Sequence, residues 1–409
     1  MQEVIVEKPY KFVPPYRTTV FSTLYRWLNV HAAYLARVEK VTSYELRGLD
    51  RFEASRRAGH GVLLTPNHSR TADPVVMCWI PATARCHMYG LASWHLYQNP
   101  FRRFLLRSMG AFSVNREGID RPALNLAIEI LTTAERPLVM FPEGTTTRTN
   151  DRLGALLDGV AFVARTAAKR RARQSPPGKV VIHPIAIKYL YQGDVEQAVD
   201  EMLVSIEHRL SWSPQRHLSL LARIIKVGSA LLSLKEIEFF GEPHAGNFSE
   251  RMNRLIDRLL APLEEQYLGK KTTGAVVPRV KALRMRLLPD MVEGRIDAEE
   301  RARRWKALAE VYLAQQISAY PPDYLSSRAS IDRMLEIVEK YAEDLTDVSR
   351  PHAPTKVVIE IGEAIEVSPE RERGTTVDPL MQMLEQRLQE MLDRLSLESP
   401  LYEPKRFPG

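Results

Sequence analysis

Residues 61–73 read GVLLTPNHSRTAD. The apolar run Val62-Leu63-Leu64 closes on Pro66, Asn67-His68 follow at once, and Asp73 stands five positions beyond the histidine. A short aliphatic run ended by a turn signal reads as a buried strand. A histidine and a carboxylate presented at its end are the parts of a general base held by an acid. Residues five apart lie about 140° apart around a regular helix, so His68 and Asp73 can face each other only if the segment turns. Pro74 agrees with a turn, because Asp followed by Pro reads as an N-cap and first helical position. Capping a helix and holding His68 are compatible roles, since one carboxylate accepts several hydrogen bonds.

Further apolar runs near 43–48, 86–89, 111–115, 138–141 and 180–187 alternate with helical patterns near 74–80, 100–108, 121–134 and 155–172. Alternation of this kind points to an α/β fold, a mixed central sheet flanked by helices, with ligands gathered at strand ends. After Tyr191 the pattern changes. Long helical segments fall near 194–211, 216–234, 247–267, 297–318 and 328–345, with breaks at Pro214, Gly241, Gly269 and Pro321-Pro322. KVVIEIGEAIEV at 356–367 then alternates as a strand does, and a helix follows at about 377–396. The expected organisation is an N-terminal amphipathic helical segment (1–40), an α/β domain opened by 41–191, a large helical insertion (192–354), and the return strand and final helix of the same domain (355–400). Residues 356–361 are expected to join the sheet that holds 180–187. No internal repeat is evident.

The ordered set NHSRTAD (67–73), GAFSVNR (110–116), FPEGT (141–145) and VVIHPIAI (180–187) resembles the glycerol-phosphate and lysophospholipid acyltransferase superfamily. Its members carry NHxxxxD, GxxFxxR, PEGT and a late proline-containing strand in that order. The likeness covers about residues 40–190. It implies that His68 and Asp73 are the catalytic pair, that Arg116 of the second motif and Glu143, Gly144 and Thr145 of the third bind substrate, and that Pro184 marks the fourth. The family often has arginine directly after the PEGT threonine. Here Thr146 and Thr147 intervene before Arg148, which makes Arg148 a weaker candidate for phosphate than Arg116. The family's strand ending Gly-x-Pro-Ile resembles Gly362-Glu363-Ala364-Ile365, with alanine in place of proline.

The chemistry so implied is transfer of an acyl group from a thioester to a lipid hydroxyl, with no metal or bound cofactor and with acyl-coenzyme A or acyl-carrier protein as co-substrate. A neutral imidazole titrates in the right range to take the alcohol proton, and a carboxylate on its other nitrogen fixes the tautomer. Two other classes stay open. A hydrolase would need a serine nucleophile, and no G-x-S-x-G elbow is present. A lipid-binding or scaffold protein could keep the fold and use the helical insertion as its working surface.

Composition narrows the partners. The 409 residues are 44% hydrophobic, enough for a sizeable core, and the two cysteines, Cys78 and Cys86, suggest neither a disulfide framework nor a zinc site. The net charge of +7 is uneven: residues 1–190 hold 27 Lys plus Arg against 14 Asp plus Glu, and 191–409 hold 30 against 36. The motif-bearing part is thus the basic one, which suits an anionic membrane surface, a phosphorylated glycerol or lysolipid acceptor and the phosphates of coenzyme A. No nucleic-acid signature is present, and the run Lys169-Arg170-Arg171-Ala172-Arg173 reads as a solvated helix end. No signal-peptide pattern and no membrane-spanning stretch is evident. Residues 17–40 read as one amphipathic helix with Val20, Leu24, Trp27, Leu28, Leu35 and Val38 near one side and Arg26 and Arg37 on the other. Such a helix can lie in a membrane interface. The expected location is cytoplasmic, peripheral on the inner face of a membrane.

Overall fold

The computed structural model describes residues 7–321, 323–325, 328–370 and 378–403. Residues 1–6, Pro322 among the expected helix breaks, and residue 377 of the last expected helix lie outside the described residues. In chain order the elements are α1 (Val20–Trp27), α2 (Val30–Val38), β1 (Val41–Arg47), α3 (Leu49–Arg57), β2 (Gly61–Pro66), α4 (Asp73–Val76), α5 (Trp79–Thr83), β3 (Tyr89–Ser93), a 3-10 turn (Trp94–Tyr97), α6 (Pro100–Ser108), β4 (Ala111–Val114), α7 (Arg121–Thr133), β5 (Leu138–Val139), α8 (Gly159–Arg171) and β6 (Val180–Tyr191). There follow α9 (Val195–Arg209), α10 (Leu220–Phe240), α11 (Phe248–Leu268), α12 (Val276–Val292), α13 (Ala298–Ser318), α14 (Ile331–Thr346), β7 (Thr355–Ile361), β8 (Ile365–Glu366) and α15 (Pro379–Ser396). Two compact units result. One comprises the chain up to Thr147 with Asp151–Lys188 and Val357–Leu395, and the other Arg148–Asn150, Tyr189–Lys356 and the residues from Ser396 onward.

The sheet is mixed and runs β1-β7-β6-β2-β5-β3-β4, with β8 antiparallel on β6. The pairs β6–β2, β2–β5, β5–β3 and β3–β4 are parallel, so β2, β5, β3 and β4 end along one edge. Every residue of β2 and β6 is buried, which is why these strands read as continuous apolar runs and not as alternation. One face packs Leu63, Leu138, Val180 and Ile182 on α7, α8 and α15 through Leu131, Val163, Ala164, Leu384 and Leu388. On the other, the buried His183 ring bonds Ser55 of α3 at 2.9 Å and meets Phe52 edge-on. β7 lies beside β6 although the whole helical unit separates them in sequence. At the β7–β8 turn the Gly362 N–H donates to Pro184 O at 2.8 Å. A Cβ on Gly362 would lie 2.7 Å from the Pro184 ring and 2.9 Å from Met391 Sδ, so glycine is required where the chain passes that closely.

Several local expectations are corrected. The N-terminal helix is two helices, because Asn29 adopts a left-handed conformation at φ 52° between α1 and α2, and it places Leu35 in the core while Trp27 stays 79% exposed. The third strand is 89–93 and not 86–89, and the segment 74–80 forms two short helices joined at Met77-Cys78. Helix α12 lies outside the helical segments expected from the sequence, and it accommodates two prolines. Pro278 sits in the first turn, where its missing N–H needs no partner, and Pro289 falls in the last turns. Arg171, read as solvated, is buried and donates to Thr132 O at 2.8 Å and Gly59 O at 2.6 Å.

The helical unit does contain a repeat, contrary to the sequence reading. Glu207, Glu236 and Glu264 recur at intervals of 29 and 28 residues near the ends of α9, α10 and α11. Each accepts the backbone N–H of the residue eight positions on, Gln215, His244 and Thr272 respectively. Each also takes two guanidinium hydrogen bonds from the next helix, from Arg223, Arg251 and Arg279. Burial alone would raise these carboxyls. The paired arginine bonds prevail and hold all three below the usual carboxylate range. Asp290 and Arg304 form a looser fourth member between α12 and α13 at 3.1 Å. Only two charged positions in about 28 define the period, too few to show against ordinary amphipathic helices.

Candidate active site

Strand β2 stops because Asn67 takes over its pairing with side-chain atoms. The Asn67 carboxamide donates to Ile187 O at 3.1 Å and accepts from Ile187 N at 2.7 Å, imitating one more residue of strand against β6. The backbone is thereby released to turn at His68. His68 Nδ1 lies 2.9 Å from Asp73 Oδ2, with Asp73 fully buried and the His68 side chain 14% exposed. The same Asp73 oxygen accepts the Arg70 N–H at 2.8 Å. Asp73 is therefore not the expected N-cap: Ala72 holds that position without a side-chain cap, and Asp73 is the first helical residue with its carboxylate turned back onto the loop. The usual bias of a pre-proline residue away from helix yields here to these bonds and to the Met77 N–H donated to Asp73 O.

Glu143 follows β5 and is 1% exposed. Its Oε1 accepts the His68 N–H and its Oε2 the Gly154 N–H, each at 2.6 Å, so both oxygens are engaged by backbone. Burial pushes this carboxyl up to about 7, against the lowering effect of those two donors. The loop is closed again by Thr147, whose N–H and hydroxyl reach His68 O at 2.8 and 3.2 Å. Phe141 lies against the imidazole with ring centroids 4.2 Å apart. Gly144 has φ 67°, and a Cβ there would come within 2.5 Å of Leu157. Half-buried Thr145 continues the turn.

Arg116, two residues beyond β4, donates to Gly144 O and so is drawn to the PEGT turn. Arg148 is engaged elsewhere. At φ 62° its guanidinium pairs with Glu343 within the helical unit. Sequence reasoning passed over Asn67 as a pairing device, Gly154 and Thr147 as loop ties, and His95. The last lies just after β3, with Nδ1 2.9 Å from Ser93 Oγ, and burial together with Arg116 and Arg102 lowers it to about 4. Its signal in the sequence, a single histidine in SWHLYQ, belongs to no motif. Among the described residues no group of three or more His, Cys, Asp and Glu could hold a metal ion.

The α/β domain thus sets a histidine–aspartate pair at one strand end, a glutamate tie at the next and an arginine two strands further on. Residues 43–188 match the acyltransferase family model. A 1-acyl-sn-glycerol-3-phosphate acyltransferase of Streptococcus pneumoniae (strain ATCC BAA-255 / R6) is 32% identical over 109 residues, 27% of this chain and 38% of that protein. The chain thus spans well under half the length of the curated relative it matches. Over this segment the resemblance to the glycerol-phosphate and lysophospholipid acyltransferase superfamily holds.

Proposed function

We propose that the protein is an O-acyltransferase that moves a fatty acyl group from a thioester, acyl-coenzyme A or acyl-carrier protein, to a glycerol-phosphate type acceptor, with 1-acyl-glycerol-3-phosphate the acceptor we favour. The single observation that carries this is the buried Asp73 carboxylate on His68 Nδ1, while His68 Nε2 has no hydrogen-bond partner among the described residues. With Nδ1–H donated to Asp73, the lone pair of Nε2 takes the proton of the acceptor hydroxyl as its oxygen attacks the thioester carbonyl carbon. The tetrahedral adduct then expels the thiolate, and the imidazolium returns the proton to sulfur. No covalent acyl-enzyme is needed. Ser69, beside the histidine, is buried with its hydroxyl unpartnered and makes no bond to His68 that would activate it.

Arg116 supplies a positive charge for the acceptor phosphate, and Glu143 acts by holding the His68 backbone. We propose further that the protein meets its lipid at a membrane surface through α1 and α2. There Val20, Leu24, Trp27 and Leu28 are exposed beside Arg26, an arrangement that suits the bilayer interface. No helix among the described residues is long and apolar enough to cross a membrane. The test is acyl transfer from both thioester donors to a panel of lysolipids, glycerol-3-phosphate included, by wild type and His68→Ala. Loss of transfer in the variant, with its circular dichroism unchanged, is expected. Retained transfer would end the base assignment, and thioester hydrolysis without transfer would favour a hydrolase.

A further inference from the structure

Four parallel strands deliver the polar groups of the site in sheet order. His68 follows β2, Glu143 follows β5, His95 follows β3 and Arg116 follows β4. Ser93 and Val114 are register partners at the last pair of β3 and β4, and His95 and Arg116 each stand two residues beyond. The two residues therefore follow the same end of two neighbouring strands, His95 in the 3-10 turn after β3 and Arg116 in the turn after β4. Arg116 reaches back to Gly144 O at the end of β5, and Gly144 adjoins Glu143, which holds the His68 N–H. β3 is separated from β2 by β5 alone, about 10 Å at ordinary strand spacing.

We propose that His95 and Arg116 together grip a phosphomonoester, that of the acceptor, while His68 takes the proton of its hydroxyl. This deepens the acyltransferase reading and rests on it. The geometry around His95 suits the task. Its Nδ1 is anchored to Ser93 Oγ, and among the described residues its Nε2 has no hydrogen-bond partner. A serine hydroxyl can donate to a neutral Nδ1 or, on rotation, accept from a protonated one, so the anchor survives either charge state. The groups acting on the ring from the elements around it are cationic. Arg116 and Arg102 both lower its proton affinity, while Arg103 is tied to Tyr97 O and Tyr10 packs edge-on against Trp94. Without a ligand, then, His95 is neutral near pH 7. A phosphate dianion set between the ring and Arg116 reverses the local field and favours the imidazolium, turning a neutral hydrogen bond into a charge-assisted one.

The experiment compares wild type, His95→Ala and His95→Gln with a matched acceptor pair, 1-acyl-glycerol-3-phosphate and 1-acyl-glycerol, from pH 6 to 8. KM for the phosphorylated acceptor should rise roughly tenfold or more in His95→Ala, with kcat within about threefold and no change for the phosphate-free acceptor. His95→Gln keeps a donor but cannot charge, so it should show a smaller rise and a flatter pH dependence of KM. Equal effects on both acceptors, or none on either, would overturn the proposal. The donor's phosphate is separated by assaying acyl-coenzyme A against acyl-dephospho-coenzyme A: an effect that follows the donor's 3′-phosphate would overturn the assignment to the acceptor. If wild type transfers to no acceptor, the acyltransferase reading fails by itself. Calorimetric titration with glycerol-3-phosphate then decides this one, with weaker binding in both variants supporting it and unchanged binding overturning it.

Discussion

Replacing Glu143 by glutamine tests whether a buried carboxylate holds the base through its backbone. The native side chain presents two accepting oxygens to two backbone N–H groups at 2.6 Å each, with 1% exposure. Glutamine keeps one acceptor and turns an NH2 toward the other donor. One charge-assisted bond, worth about 1.5–3 kcal/mol, is lost and the opposing donor is left unsatisfied at about 1–3 kcal/mol. Part of that is offset because the amide escapes the cost of burying a charge. If about 2 kcal/mol remains to be spent on restoring the His68 backbone to its reactive position, kcat falls roughly thirtyfold. Glu143 also sets a pH signature. Its carboxyl is raised from 4.5 to about 7, so the folded state prefers the protonated form. The associated stability is fully present below 4.5, falls as pH rises from 4.5 to 7 and is flat above, and Glu143→Gln should lack this slope. The assays are kcat at pH 7.5 and amide hydrogen exchange of peptides covering 66–70 and 152–156, where faster exchange is expected in the variant. A kcat within twofold of wild type with unchanged exchange would refute the reasoning.

Asp73→Asn should leave the chain folded and lower kcat about 10³–10⁴-fold, because an amide on Nδ1 selects the wrong imidazole tautomer; steady-state kinetics with KM little changed is the expected pattern. In the helical unit, Arg251→Ala strands Glu236, whose side chain is 0% exposed, and should cost about 3–5 kcal/mol in denaturant unfolding. The double replacement Glu236→Leu with Arg251→Leu should recover more than half of it. Trp27→Glu on α1 should lower co-sedimentation with phosphatidylglycerol vesicles at least fivefold while leaving acyl transfer to soluble glycerol-3-phosphate unaltered. Equal sedimentation of variant and wild type would remove α1 from the membrane-facing role.

Most strands and helices of the first unit were legible in the sequence, because a buried strand needs an unbroken apolar run and the turns between them leave Pro, Gly or Asn in place, but α3 (Leu49–Arg57), rich in charged residues, was not. The sequence also picked out His68 and Asp73 as a pair that must bend toward each other, since their spacing cannot bring them together on a helix. What depends on partners distant in the chain became visible with the folded chain. Glu143 carries no mark in the sequence of the His68 and Gly154 amides it will accept, Asn67 none of its pairing with Ile187, and His95 and Arg116 follow neighbouring strands only because β3 and β4 pair in the sheet. The same reason hid the Glu–Arg repeat of the helical unit. Local propensity acts over a few residues, whereas a bidentate ion pair between successive helices is defined by geometry that exists once those helices have packed.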